Sequence, residues 1–525
     1  MPKHKNWFWL TALAAAWCFD FLFWKKPFGL SFFIWTALLL GIGYLLAWWE
    51  GKRPKSVSIA VTLLILAFSF VPVWRSEPFV LAVSVMLALG GMLLLTATFL
   101  NGNWPFYRLW DYISELAQTI WGGLSGAILM GTRGKTPPPV EQPVKKSFFR
   151  KTLPVLRGVL LALPVVAILA VLLSSADPVF GDWLKHILNL EKLPEYLFRL
   201  GYILLIGSFL VGIYLHAILP KKESFRPGSQ KSIVTPFFGW TEAGIILGAV
   251  DVLFLAFVFI QIRYLFGGTV NINETGYTFA EYARRGFGEL VAVAVLSLLL
   301  YLGLNTITKR ERRASQIGFT VFSVLLMANV LVILASSLQR LLLYENAYGF
   351  SQLRTHTHVF IFWLAGLILA TIILEILRRR ERFALALLVT VLGFGITLAV
   401  MNVDAFIVDR NVSRAISGEQ LDIQYLNTLS ADAVPEMFEK FNDATLPVGV
   451  KDSLGSALAC WNATMEDPGA RPWQGFNFSK FNAYKLLKQN APSLSKYQAV
   501  KTDQEGWVIK LNGKDIPCSQ AYFMD

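Results

Sequence analysis

Glu281, Arg284, Arg285 and Glu289 form a compact charged group at the entrance to a long apolar run. Glu281 and Arg285 are four residues apart, as are Arg285 and Glu289, so each pair can meet on one face of a helix. Tyr344, Arg354, His356 and His358 come from the next segment expected on the same side of the molecule. Arginines hold carboxylates and phosphates through paired N–H donors, so one reading is a binding site for an anionic or polar ligand. The other is a salt-bridged helix cap at the level of lipid headgroups, with Tyr277 and Tyr282 in an aromatic belt. The second reading carries more weight, because arginines are common at that level.

Asp251 is the second candidate, near the middle of an apolar run rich in Val, Leu and Phe. A carboxylate at such a depth costs at least about 2.5 kcal/mol on insertion scales, so it must face other helices rather than lipid. It reads either as a proton relay or ion-coupling group, or as a hydrogen-bonded contact that fixes helix packing. Asp20, Arg157 and Glu375 stand near the ends of apolar runs and read as interfacial. His356-Thr357-His358 invites a metal reading, but histidines two apart do not share a helical face. With no cysteine nearby and no HExxH pattern, no metal site is expected. The chain has no Walker loop, GxSxG, GxGxxG or CxxC motif, and no cofactor is expected. Gly90-Gly91 and Gly122-Gly123 read as helix-packing contacts. The C-terminal tail contains no histidine, which excludes a Ser-His-Asp or Cys-His site confined to it.

The elements that must position these residues follow from composition. Hydrophobic residues make up 55% of the 525 and charged residues only 16%, against roughly 45–50% and 25% in a soluble domain. Mean hydropathy is +0.51. The apolar residues fall into continuous runs of about 20, the length that crosses a hydrocarbon core about 30 Å thick. Backbone in that core must satisfy its own hydrogen bonds, so the runs are helical; a β-barrel would show short alternating segments instead. The candidate spans are 7–24, 28–49, 57–74, 79–100, 153–174, 196–219, 240–265, 286–307, 314–338, 357–377 and 383–403. The expected fold is therefore an all-α integral membrane protein, a bundle of about 11 transmembrane helices with a small α+β extracytoplasmic C-terminal domain. Four parts result: residues 1–100 with four spans, a cytoplasmic loop at 101–152, seven spans at 153–403, and a soluble tail at 404–525. Within the loop, 110–130 reads as an interfacial amphipathic helix, followed by a Pro-rich linker. Residues 177–195 read as a short helix on the outer surface.

Formal net charge is +13. In a soluble protein such an excess points to nucleic acid, but here the basic residues sit in loops between apolar runs, so the partner is the lipid bilayer and no nucleic acid is expected. Alternate loops carry Lys3 and Lys5, Lys52, Lys145 to Lys151, Lys221 to Lys231, Lys309 to Arg313, and Arg378 to Arg382. That side holds about twice the Lys and Arg of the other, which makes it cytoplasmic. The N-terminus is then cytoplasmic and the tail extracytoplasmic. The first run, followed by Lys25-Lys26-Pro27, reads as a retained signal anchor. Of the three cysteines, Cys18 lies in an apolar run, while Cys460 and Cys518 fall in the tail, where a disulfide can form. Spacing alone leaves their pairing open. In the tail, Ser430 is a candidate cap, and residues 507–511 read as a strand running into a tight turn at Asn512-Gly513.

Three stretches carry a family resemblance. They are Tyr264-Leu265-Phe266-Gly267-Gly268 through Ala280-Glu281-Tyr282-Ala283-Arg284-Arg285-Gly286-Phe287-Gly288-Glu289-Leu290; Tyr344 through Tyr348-Gly349-Phe350 to Arg354; and Asn402-Val403-Asp404-Ala405 with Tyr425-Leu426 and Leu429-Ser430-Ala431-Asp432-Ala433-Val434-Pro435. Together they resemble the bacterial multi-pass membrane proteins of domain of unknown function 4173 and its relative 4153. Phe350 stands where the pattern has a leucine. The resemblance implies a bacterial inner-membrane protein and assigns no catalytic residue.

Three functions compete. The first is a non-enzymatic sensory, assembly or ligand-binding component whose outer loops and tail meet an envelope ligand or envelope and membrane proteins. The second is a proton- or ion-coupled transporter using Asp251. The third is a membrane-embedded transferase for lipid-linked substrates, with Glu281, Arg284 and Arg285 as its site. The missing catalytic signatures favour the first.

Overall fold

The computed structural model describes residues 2–132, 193–219, 235–265, 287–502, 506–511 and 514–518, with Leu173 and Asp177. Among them ten helices are long and apolar enough to cross a membrane. They are α1 (Lys5–Phe23), α2 (Leu30–Trp49), α3 (Ser56–Trp74), α4 (Pro78–Thr98), α6 (Leu193–Ile218), α7 (Trp240–Leu265), α8 (Phe287–Ile307), α9 (Arg313–Tyr348), α10 (Gln352–Ile376) and α11 (Phe383–Val400); a further helix, α5 (Leu109–Thr132), lies between α4 and α6. The protein is an all-α multi-pass membrane protein. The candidate span at 153–174 and the surface helix at 177–195 lie outside the described residues, apart from Leu173, Asp177 and the first residues of α6.

Hydropathy marks where lipid begins, and several helices run on past it. The apolar run at 314–338 belongs to a helix of 36 residues, which at 1.5 Å per residue is about 54 Å long. It therefore outruns a hydrocarbon core of about 30 Å, and Arg340, Glu345 and Asn346 lie on its extension.

The ends of the bundle are distinct. Phe237 and Phe238 both donate backbone N–H to the Ile307 carbonyl, and Lys309 N–H donates to that of Phe238. Next to them, Arg380 bonds Glu375 at 2.5 Å, and Tyr301 and Thr320 donate to the same carboxylate at 2.8 and 2.9 Å. This pin closes the end that carries the basic turns. Glu375 is thus buried rather than interfacial. At the other end Asp20 on α1 meets Arg199 and Tyr202 on α6, while Gly207 faces Leu13. These contacts make α6 antiparallel to α1, so the chain passes from one end of the bundle to the other between α4 and α6.

α5 packs along α6 through glycines. A Cβ on Gly126 would stand 2.6 Å from the Gly212 Cα, and one on Gly122 would stand 2.7 Å from the His216 ring. Such close approach is the use small residues have between membrane helices. Asp111, Glu115 and Thr119, four apart, are buried, whereas Trp110, Ile113, Trp121 and Leu124 are exposed. Its polar stripe faces protein and its apolar face looks outward.

The tail consists of α12 (Val403–Ile416), α13 (Ile423–Thr428), α14 (Val434–Phe441), α15 (Val448–Thr464), α16 (Phe478–Gln489) and strands β1 (Ala499–Thr502), β2 (Gly506–Leu511) and β3 (Lys514–Pro517). The strands form an antiparallel meander in the order β1-β2-β3, with Val500 opposite Val508 and Ile509 opposite Ile516. Cys460 on α15 and Cys518 after β3 are joined by a disulfide. Leu426, Met437, Leu454, Leu458 and Ile509 share one core with Val71, Val80, Val359 and Leu398 of the bundle. Tail and bundle are therefore continuous through their hydrophobic core.

Candidate functional site at the junction of tail and bundle

A helix leaves its first N–H groups and last carbonyls without internal partners. At the end of the bundle away from the basic turns, the tail supplies many of those partners. The Phe476 carbonyl accepts Leu30 N–H at the start of α2. Asn477 Nδ2 donates to the Pro72 and Arg75 carbonyls at the end of α3, at 2.9 and 2.6 Å. The Asp432 carboxylate accepts the backbone N–H groups of Ser76 and Glu77, just before α4, at 2.9 and 3.2 Å. Arg414 donates to the Asn346 and Ala347 carbonyls at the end of α9. Tyr425 Oη accepts Gln352 N–H at the start of α10. In the turn before that helix, Asn411 takes Phe350 N–H at 2.7 Å and returns a bond to its carbonyl at 3.0 Å. Ser430 caps the 3-10 turn at Ala431–Ala433 by accepting Asp432 N–H, which fixes Asp432 toward α4.

Three buried carboxylates meet here. Glu77 precedes Pro78, the usual first residue of a helix, and its carboxylate accepts the Phe79 and Val80 N–H groups at 3.1 and 2.6 Å. Burial pushes its pKa up to about 7; the neighbouring Asp404 and Asp432 charges add to the shift, and the two N–H bonds oppose it. Asp404 accepts from the Gln352 amide at 2.8 Å and from Ser430 N–H at 2.7 Å. Burial raises its pKa as well. His356 stacks on Phe79 with ring centroids 4.4 Å apart, and its Nε2 lies 3.7 Å from Glu77.

Beside these carboxylates lies a cavity of about 330 Å³, which takes one side from Ser76, Pro78 and Gln352 of the bundle and the rest from the tail. Asn427 and Trp461 line it. They are only 3% and 8% exposed, yet both polar atoms of the Asn427 amide and the Trp461 indole N–H find no hydrogen-bond partner among the described residues. Buried polar groups of folded proteins are paired in the large majority of cases. Arg471, Lys480 and Glu466 also line the cavity, and Arg471 bonds Glu466 at 2.6 Å.

The residues singled out from sequence are distributed as follows. Glu281, Arg284 and Arg285 lie outside the described residues. Glu289 is on the first turn of α8 and exposed. Tyr344 and Arg354 are brought together: the guanidinium lies 4.0 Å from the ring centroid and donates to the Gly349 carbonyl. Both are half-buried and staple the turn between α9 and α10. Among the described residues, no hydrogen bond or ion pair joins Glu289 to them. His358 and His356 part company, since His358 Nδ1 lies 3.2 Å from Glu345, far from the Glu77 partner of His356 in sequence. No group of three or more possible metal ligands is assembled among the described residues. Asp251 is 2% exposed on α7, faces Asn329 of α9, and has no well-formed hydrogen bond to either oxygen among the described residues.

Sequence reasoning missed Glu77, Asn427, Trp461 and Arg471 as site residues. Ser76-Glu77-Pro78 carries a helix-start signal, and Asp404 and Asp432 lie in the third stretch of the family resemblance. Nothing in the sequence brings Asn427 and Trp461 together.

The chain matches the family model described as Domain of unknown function (DUF4153) over residues 59–439. No curated protein and no solved structure matches it.

Proposed function

The chain belongs to the DUF4153 family, whose description assigns no activity, and on that premise we propose that it is a non-enzymatic ligand-binding component of the bacterial inner membrane. Its site is the cavity shared by tail and bundle. The observation that carries this reading is the pair Asn427 and Trp461, buried in the cavity wall with polar atoms that are unpaired among the described residues. A ligand there touches residues of both parts and so couples occupancy to the way the tail sits. The positive-inside rule puts the basic turns in the cytoplasm and the tail outside, and the Cys460–Cys518 disulfide fits an oxidising compartment. Asn427→Ala and Arg471→Gln, expressed in a strain lacking the gene, are expected to insert normally and fail to restore its phenotype. Full restoration by both would remove the cavity from the function. Thiol labelling of a cysteine placed at Lys510, from outside intact cells, tests the sidedness.

A second reading has its own observation. Asp251 is a buried carboxylate without a well-formed hydrogen bond among the described residues, a feature that marks ion or proton pathways in membrane helices. Asp251→Asn should abolish coupled ion movement in reconstituted vesicles if this reading holds, and unchanged flux would eliminate it.

A further inference from the structure

The polarity of the tail is inverted along residues 473–481. Gln474, Asn477 and Ser479 are buried there, while Trp473, Phe476, Phe478 and Phe481 are 39–52% exposed. A surface bathed in water has the opposite arrangement, and exposed aromatics grouped in this way mark a face that meets something else. The cause is local. The Phe476 carbonyl and the Asn477 amide turn inward onto the ends of α2 and α3. Gly475 lies so close to Pro27 that a Cβ would stand 2.2 Å from its ring. With the polar groups committed to helix ends, the aromatic side chains between them face out.

We infer that this segment rests in the lipid interface at its end of the bundle, so that the tail is seated on the bilayer by its own aromatic side chains. The occupant follows from what the patch adjoins. The Trp473 ring lies 6.4 Å from that of Phe21, in the last turn of α1. Phe478 stacks on Trp74, the last residue of α3, with centroids 4.9 Å apart and planes 2° from parallel. Phe21, Trp74 and Phe28, just before α2, are themselves 46–47% exposed. Because α1, α2 and α3 cross the membrane, these ends mark the level at which aromatic belts sit. The patch on the tail is thus continuous with the lipid-facing surface of the bundle. Along α16 the same exposed face passes from Phe478 and Phe481 to Lys485 and Lys488, at helical spacing. The helix is apolar where it enters the interface and cationic where it leaves, and long lysines reach back to water from such positions.

The test is spin-label accessibility in the full-length protein, reconstituted in lipid nanodiscs. Phe481→Cys and Lys488→Cys are each made in a Cys18→Ser background, which removes the free thiol and leaves the tail disulfide intact. Both positions are exposed, so the label does not enter the core. Oxygen concentrates in lipid and a nickel chelate stays in water. The ratio of collisions with oxygen to collisions with the chelate is expected to be at least about threefold higher at 481 than at 488, as for a side chain buried in the headgroup and acyl boundary. Equal ratios at the two positions would overturn the inference. A face reserved for a partner protein gives that same equality, since the purified protein has nothing else to cover it. A second readout needs no label. The emission of Trp473, taken as wild type minus Trp473→Phe, should fall by about half or more in vesicles of bromine-labelled lipid, as for an interfacial indole. Emission of Trp473 unchanged by the brominated lipid would likewise overturn it.

Discussion

The Asp432 carboxylate accepts the backbone N–H of Ser76 at 2.9 Å across 356 residues of sequence. One oxygen thereby closes the amino end of a membrane helix with a side chain from the C-terminal tail. The same carboxylate also takes Glu77 N–H, and a negative charge at a helix amino end is favoured by the helix dipole.

Replacing Asp432 with Ala should therefore loosen the junction. Hydrogen bonds to a charged group contribute about 1.5–3 kcal/mol each, and two are lost here. Amide exchange at Ser76 and Glu77 is expected to quicken, with faster proteolytic release of the tail. Protection equal to wild type would show that the bond is incidental.

Glu77 gives the junction a pH dependence of defined sign. Its folded pKa is about 7 against an ordinary value of 4.5, so the folded state binds the proton more tightly. The resulting stability is complete below about pH 4.5 and is lost as pH rises through 7. Asp404, also raised, acts in the same direction. The thermal midpoint of the tail should fall between pH 5 and pH 8, and Glu77→Gln should flatten the decline. A midpoint that climbs over that range would contradict the assignment.

The disulfide spans 58 residues of sequence, for which removal of a cross-link costs about 2–4 kcal/mol. A Cys460→Ala, Cys518→Ala double variant should lower the unfolding midpoint of the tail and leave the membrane helices inserted. Indistinguishable denaturation of the two proteins would mean that the bridge adds no stability.

Asp251→Leu bears on what the carboxylate does. A buried charge without a good partner is a cost to the fold, and an apolar side chain of similar volume removes it. The variant should melt no lower than wild type in detergent. A clear loss of stability would make Asp251 a packing contact.

The glycine seam between α5 and α6 should tolerate no larger residue. Gly126→Leu forces side-chain atoms against the Gly212 backbone, already 2.6 Å from where a Cβ would stand, and overpacking of this kind costs about 1–3 kcal/mol. Protease cleavage within α5 is the readout, and resistance equal to wild type would argue against the close approach.

The membrane helices were legible because lipid imposes a length and an apolar composition that leave a plain trace. Their ends were less so: 314–338 marks the apolar part of α9, and the helix itself continues to Tyr348. The junction was barely legible, since its bonds join residues far apart in the chain. Asn477 and Pro72 are 405 residues apart, and neither looks unusual among its neighbours. Tyr344 and Arg354, ten residues apart, were within reach of local reasoning. Asn427 becomes notable only once its surroundings deny it partners.

The caps that the tail supplies to α2, α3, α4, α9 and α10 have a bearing on how the protein is made. Ribosomes deliver Pro72 and Ser76 to the bilayer long before Asp432 and Asn477 exist. Until the last quarter of the polypeptide arrives, those early helices rest on water or headgroups for the missing bonds. Maturation therefore closes in the reverse of the order of synthesis, and a chain cut short before residue 477 presents frayed helix ends to whatever proteases survey the membrane.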